Sequence, residues 1–180
     1  MTHTPGTPPP LRLFTALWPP PAVRDALLVL RDRWQWPPGA RLADASKLHI
    51  TLHFIGSVEA SRLPALVDGL AVPMERTELR IDTRRQRVWP GGIAVVELQM
   101  PEMLQRMHAL LAHALSRLGL GVEARPWRPH VTFARKAAGA VPPAAADGMP
   151  SWPVDGYALV RSAGGRYDIL QRYAAAKVEP

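Results

Sequence analysis

Two short stretches of this chain set an imidazole two residues before a hydroxyl: His49-Ile-Thr51 and His130-Val-Thr132. They sit in Leu48-His-Ile-Thr-Leu-His-Phe-Ile55 and Arg128-Pro-His-Val-Thr-Phe-Ala-Arg135, and both runs have the period-two pattern of a strand. On a strand, residues i and i+2 point the same way, roughly 6.5–7 Å apart, so each motif presents its imidazole and hydroxyl together. An unperturbed imidazole titrates near pH 6.5, so around neutrality one of two can be protonated while the other is not. That pairing suits the opening of a cyclic phosphodiester, in which a base removes a proton from water while an acid protonates the departing ribose oxygen. Thr51 and Thr132 would donate to the non-bridging phosphate oxygens. Arg135, five residues past His130, would stabilise charge in the pentacoordinate state. In-line attack needs the imidazoles on opposite sides of phosphorus. Residue type alone does not say which is acid and which is base.

The segments around the motifs echo one another. Pro19 precedes His49 by 30 residues and Pro101 precedes His130 by 29, with the apolar runs 13–17 and 94–98 just ahead of each proline. Strand, proline, helix, His-x-Thr strand therefore occurs twice, which predicts two related lobes whose motif strands meet across a cleft. The first 10 residues carry four prolines and read as a disordered tail, leaving 11–176 as one bilobal domain. Strands are predicted at 11–18, 48–55 (closed by Gly56), 77–82, 84–89 and 92–98, then at 130–135, 155–162 and 166–174. Helices are predicted at 22–34, 59–71 and 101–118, and 136–153 reads as a long exposed loop. The fold class is α+β: two pseudo-symmetric lobes, each an antiparallel sheet with helices on its outer face.

Composition narrows the chemistry. The 180 residues contain no Cys, which excludes disulfides, thiolate metal sites and cysteine nucleophiles. The 15 acidic residues are scattered singly, so no carboxylate cluster offers a metal site, and no metal or other cofactor is expected. The net charge of +7 is carried mostly by arginine, since Lys occurs only at 47, 136 and 177. Arginine's planar fork suits phosphate, although an arginine-rich composition also follows from a GC-rich genome. No apolar run reaches the ~18–20 residues of a membrane span, and the N-terminus lacks signal-peptide features. A cytoplasmic monomer is expected.

Other residues admit two readings each. His53 would share a strand face with His49 and Thr51, as a cleft-wall residue or a substrate contact. Phe14, Trp89 and Tyr167 have the shape to stack on a base of single-stranded RNA, against the blander reading of core or hairpin packing. Arg84, Arg85 and Arg87 form either a backbone-tracking cluster or a charged edge that guards against strand pairing. No role is assigned to His3, His108 or His113.

The two motif runs resemble the paired motifs of the 2H phosphoesterase superfamily, and within it the RNA 2′,3′-cyclic phosphodiesterase family, also called 2′-5′ RNA ligase. Leu11-Arg-Leu-Phe-Thr-Ala-Leu17 is similar to that family's first strand. The stretch 84–98, with Val88-Trp89-Pro90, is similar to its central hairpin, and 158–162 with 165–173 to its closing strands. The resemblance implies that His49 donates a proton to the leaving 3′ oxygen and His130 activates water, leaving a 2′-phosphate. It also implies phosphate contacts from Thr51, Thr132 and Arg135, with softer carry-over for Arg161 and Ser162. The implied partner is an RNA with a 2′,3′-cyclic phosphate end, tRNA-derived RNA among the candidates, with reversible ligation a secondary activity. Small cyclic nucleotides, ADP-ribose cyclic phosphate, or mere RNA binding on a non-catalytic copy of the fold are the rival readings.

Overall fold

The computed structural model describes residues 9–145 and 147–176, so residues 1–8 of the expected tail, His3 among them, lie outside the described residues. The chain opens with β1 (Leu11–Leu17), α1 (Pro21–Asp32), β2 (Arg41–Leu42), β3 (Ile50–Val58), α2 (Leu63–Gly69) and β4 (Thr77–Leu79). It continues through β5 (Gln86–Trp89), β6 (Ile93–Glu97), α3 (Glu102–Arg117), β7 (His130–Arg135), β8 (Trp152–Val154), β9 (Gly156–Ala163) and β10 (Arg166–Ala174).

The prolines act as expected. Pro21 opens α1, where a missing N–H costs nothing, and Pro101 is the N-cap of α3. Each helix buries one stripe at i, i+3, i+4 spacing: Val23, Leu27 and Leu30 on α1, and Leu104, Met107, Leu111 and Leu115 on α3. These stripes enter one large core with Leu13, Leu17, Ile50, Leu52, Val96, Val131 and Phe133 from the strands. β1 is buried on both faces, because Phe14 and Ala16 join Ala158 and Val160 in a second, smaller cluster on its other side.

One antiparallel sheet runs β10-β9-β1-β3-β7-β6-β5, with β2 also on β7. Its two halves repeat one pattern about the centre, β3 next to β1 mirroring β7 next to β6. A single residue pair, Ile50 with Val131, joins them. The two lobes are thus half-sheets whose ladders join at one residue pair, over one shared core to which α1 and α3 both contribute. Among the described residues no helix is long and apolar enough to cross a membrane.

Three expectations need correction. The strand foreseen at 77–82 stops at Leu79 and pairs with β8 in a small separate sheet. Residues 136–153 are not simply exposed: Ala137, Ala140 and Trp152 are buried, and Gln35 bridges Val141. These alanines give no periodic apolar pattern, and the segment is held by remote backbone, Ala137 N–H donating to the Gly92 carbonyl and Val141 exchanging hydrogen bonds with Gln35, so their burial was invisible locally. Finally, β3 does not end at Gly56 but runs on to Val58. Gly56 takes φ +82° at a bulge opposite Leu13 and Phe14, a conformation that glycine adopts without strain.

Candidate active site

The pair Ile50–Val131 sits at the middle residue of both His-x-Thr motifs. Because β3 and β7 are antiparallel, His49 lies toward Thr132 and Thr51 toward His130. The two imidazoles are anchored alike. His49 Nδ1 donates to the carbonyl of Lys47 at 2.7 Å, and His130 Nδ1 donates to the carbonyl of Arg128 at 2.6 Å, each two residues back. A carbonyl only accepts, so Nδ1 carries the hydrogen and Nε2 is the free lone pair in the neutral ring. In His49 that Nε2 lies 3.1 Å from Thr51 Oγ1, which donates to it.

Each motif is followed by a bulge at the same place. In β3, Ala16 pairs with Thr51 but Thr15 pairs with His53, one extra residue on the β3 side. In β7, Val95 pairs with Thr132 but Ala94 pairs with Ala134, again one extra residue. The extra residue reverses the alternation. His53 therefore turns into the core, 5% exposed, while Phe54 turns to the cleft, 59% exposed. On β7, Phe133 is buried against Trp34 and Arg135 reaches the cleft. The expectation that His53 shares a face with His49 is thereby corrected. Its ring instead stacks on His108 of α3 at 3.9 Å, and His108 stacks on Trp127 at 4.1 Å. Trp127 Nε1 donates to the carbonyl of Thr51 at 3.0 Å, so the stack braces the back of the motif strand.

A cleft of about 490 Å³ gathers His49, Thr51, His130, Thr132 and Arg135 with Phe14, Tyr167, Phe54, Arg12, Arg41, Lys47 and Ser162. It has four cationic side chains and no carboxylate in its lining. Burial, together with repulsion from His130, holds the His49 imidazolium down to about pH 4 despite the Lys47 carbonyl. His130 is also lowered, first by burial, with the charges of Arg128 and Arg135 pushing the same way. In the free protein both rings are neutral near pH 7.

Aromatic rings hold the histidines in place. Trp18 stacks on His49 (5.1 Å, 10°), with Phe14 at 5.2 Å and Tyr167 edge-on at 5.4 Å. Trp89 packs against His130 at 4.4 Å, carries the Arg128 guanidinium over its ring, and donates to Glu97 at 2.7 Å. Glu97 in turn takes a hydrogen bond from Arg128. Phe14, only 4% exposed, is thus a support for His49 rather than an open stacking surface, and Trp89 is likewise occupied. Arg161 is paired with Asp168, and Arg84 and Arg85 with Asp82, away from the cleft lining. Phe54, Trp18, Arg41 and Arg12 were missed in the sequence. The signal for Phe54 was present: it stands five residues past His49, as Arg135 does past His130.

The fold and the paired His-x-Thr motifs are those of the 2H class of phosphoesterases. The family model described as the 2′-5′ RNA ligase superfamily matches residues 19–166. An RNA 2′,3′-cyclic phosphodiesterase of Thermus thermophilus is 32% identical, over 91% of this chain and 90% of its own length. The enzyme of the same name from Escherichia coli is 29% identical over 73% of this chain and 76% of its own. The crystal structure of E. coli LigT in apo form superimposes with a TM-score of 0.81 at 29% identity, covering 94% of this chain and all of that one. Its complex with 3′-AMP gives 0.79 at 28% identity, over 93% and 99% of the two chains. The chain belongs to the 2′-5′ RNA ligase superfamily and is an enzyme.

Proposed function

We propose that this chain hydrolyses RNA 2′,3′-cyclic phosphate ends to 2′-phosphomonoesters by metal-independent acid–base catalysis, with His49 and His130 as the working pair. The observation that carries this reading is the matched anchoring of the two rings. Both Nδ1 atoms are held by the carbonyl two residues back, so in both rings Nε2 is the atom available for proton transfer, and both rings line one cation-lined cleft. The names of the Thermus and E. coli relatives support the cyclic phosphodiester as the substrate. The 3′-AMP complex of the E. coli protein supports a nucleotide as the occupant.

The steps follow from the residues. A phosphodiester anion between the rings supplies the countercharge that the buried histidines lack, so one imidazole takes up a proton on binding. His130 accepts a proton from water as its oxygen attacks phosphorus. His49 gives a proton to the departing 3′ oxygen, which leaves the 2′ ester bond intact. Once His49 is protonated its Nε2 no longer accepts from Thr51, so Thr51 and Thr132 donate to the non-bridging oxygens, and Arg135 balances the charge that develops on them. The assignment of donor and acceptor follows the family resemblance. Phe54 and Tyr167 form the apolar wall against which the terminal base packs. Attack by a ribose hydroxyl in place of water, again with the 3′ oxygen leaving, would give a 2′-5′ linkage, and this ligation is the secondary activity. Residues 11–176 act as a single bilobal domain in this scheme.

The test is hydrolysis of an oligonucleotide ending in 2′,3′-cyclic phosphate, with EDTA present, followed by chromatographic identification of the product end. A 2′-phosphate end supports the scheme. A 3′-phosphate end would reverse the leaving oxygen, and faster turnover of small cyclic nucleotides or ADP-ribose cyclic phosphate would make those the substrates. Binding without hydrolysis would leave only an RNA-binding module.

A further inference from the structure

The cleft holds more positive charge than a cyclic phosphodiester can use. Such a group carries one negative charge, yet Arg12, Arg41, Lys47 and Arg135 all line the cleft and no acidic residue does. Only Lys47 has an acidic partner, Asp44 at 3.1 Å; none of the three arginines is in an ion pair among the described residues.

The placement of Arg41 is the informative one. The two-residue strand β2 pairs antiparallel with the end of β7, so that Arg41 is the direct cross-strand partner of Arg135. Directly paired residues of an antiparallel ladder project to the same face, their Cβ atoms about 4.5–5.5 Å apart, and like charges there repel. Both side chains are exposed, and both line the histidine cleft. Two unneutralised guanidiniums held side by side can donate to two anionic oxygens from neighbouring groups. One of them, Arg135, is committed to the reacting phosphate in the scheme above.

We infer that Arg41 binds the next phosphodiester of the RNA chain, the one on the 5′ side of the terminal nucleotide. The inference rests on the proposed RNA-end activity and deepens it. It makes the β2–β7 arginine pair the feature that separates an RNA end from a nucleoside cyclic phosphate, which has no such second phosphate. β2 then has a purpose beyond its two backbone pairings, since it extends the edge of β7 where the RNA strand leaves the cleft. Recognition of this kind reads the backbone and not the base, so it favours polymer over monomer without imposing a sequence.

The experiment compares Arg41→Ala with the wild-type protein on two substrates: a short oligonucleotide ending in 2′,3′-cyclic phosphate, and a nucleoside 2′,3′-cyclic monophosphate. The ratio of the two kcat/KM values, oligonucleotide over nucleoside, should fall on the order of tenfold, the scale of one charge-assisted hydrogen bond. The dependence of log KM on log salt for the oligonucleotide should also lose about 0.7 of slope, the share of one phosphate contact on a single strand. Thermal melting of the variant at the wild-type temperature excludes misfolding as the cause, and Arg41→Lys, which keeps the charge, should recover part of the ratio. An unchanged ratio in Arg41→Ala, including equal loss on both substrates, would overturn the subsite. So would a larger fall in Arg12→Ala, which would send the strand out at the opposite end. A wild-type protein that hydrolyses neither substrate would instead overturn the functional reading, and the subsite with it.

Discussion

Phe54 and Arg135 occupy equivalent positions in the two halves of the sheet. Each stands five residues past a motif histidine, and each is turned into the cleft by a bulge immediately after the motif threonine. The duplicated backbone thus presents a ring from one half and a guanidinium from the other to a shared space. A nucleotide 3′ end has the matching parts, an apolar base and an anionic phosphate. Under the proposed reading, this difference in residue type gives the site a direction, with the base toward Phe54 and the phosphate toward Arg135.

The ring should therefore matter for binding more than for chemistry. Base–aromatic stacking contributes about 1–3 kcal/mol per base, so Phe54→Ala should raise KM on the order of tenfold while kcat stays within a few-fold. Steady-state kinetics on a cyclic nucleotide check this. A collapse of kcat with KM unchanged would place Phe54 in the chemistry instead of at the base.

The histidines should behave in the opposite way. Acid–base groups contribute ~10²–10⁴-fold each, so His49→Ala and His130→Ala should each lower kcat by that order with modest change in KM. If the two act as a unit, the double variant should lose little more than either single one. Near-wild-type turnover in His130→Ala would remove it from the scheme.

Anion binding should take up a proton. Both rings are neutral in the free protein at pH 7, His49 by virtue of a pKa near 4. A phosphate beside Nε2 raises these values, so the complex holds more protons than the free protein, and affinity falls as pH rises through the raised pKa. Calorimetric titration of a 2′-nucleotide in buffers of different ionisation enthalpy should report net uptake. A heat independent of buffer would contradict it.

Acid stability should depend on the stack behind β3. Burial lowers His53, and burial with repulsion from His53 lowers His108 to about 4. Each then holds its proton more weakly when folded than when unfolded, where the value is near 6.5. Between pH 6.5 and about 4 the unfolded chain binds more protons, so stability is complete above this window and is lost as pH falls through it. Melting temperature should drop across that range, and His108→Phe, which keeps a ring against Trp127 but cannot titrate, should flatten the acid limb relative to its own value at pH 7.

Local pattern carried much of this protein. The paired His-x-Thr runs, the prolines that precede their helices and the matching offsets between them are short-range features, and they were enough to foresee an α+β pseudo-duplicate in which His49, Thr51, His130, Thr132 and Arg135 line one cleft. A strict period of two, however, assumes an unbroken ladder. It put His53 on the face of His49 and Phe54 on the opposite face with Ile50, and both were reversed by a bulge that only the pairing of β3 with β1 reveals. The burial of Phe14 under Tyr167 and His49 depends on β10, more than 150 residues away in the chain. The neighbourhood of Arg41 and Arg135 depends in the same way on β2 reaching back to β7. The sequence by itself determined which chemical groups the protein possesses and that they come in two related sets. Only the tertiary structure decided which way each one faces, because a bulge changes side-chain direction without leaving a mark in local hydrophobicity, and a cross-strand neighbour is chosen by the packing of the whole sheet.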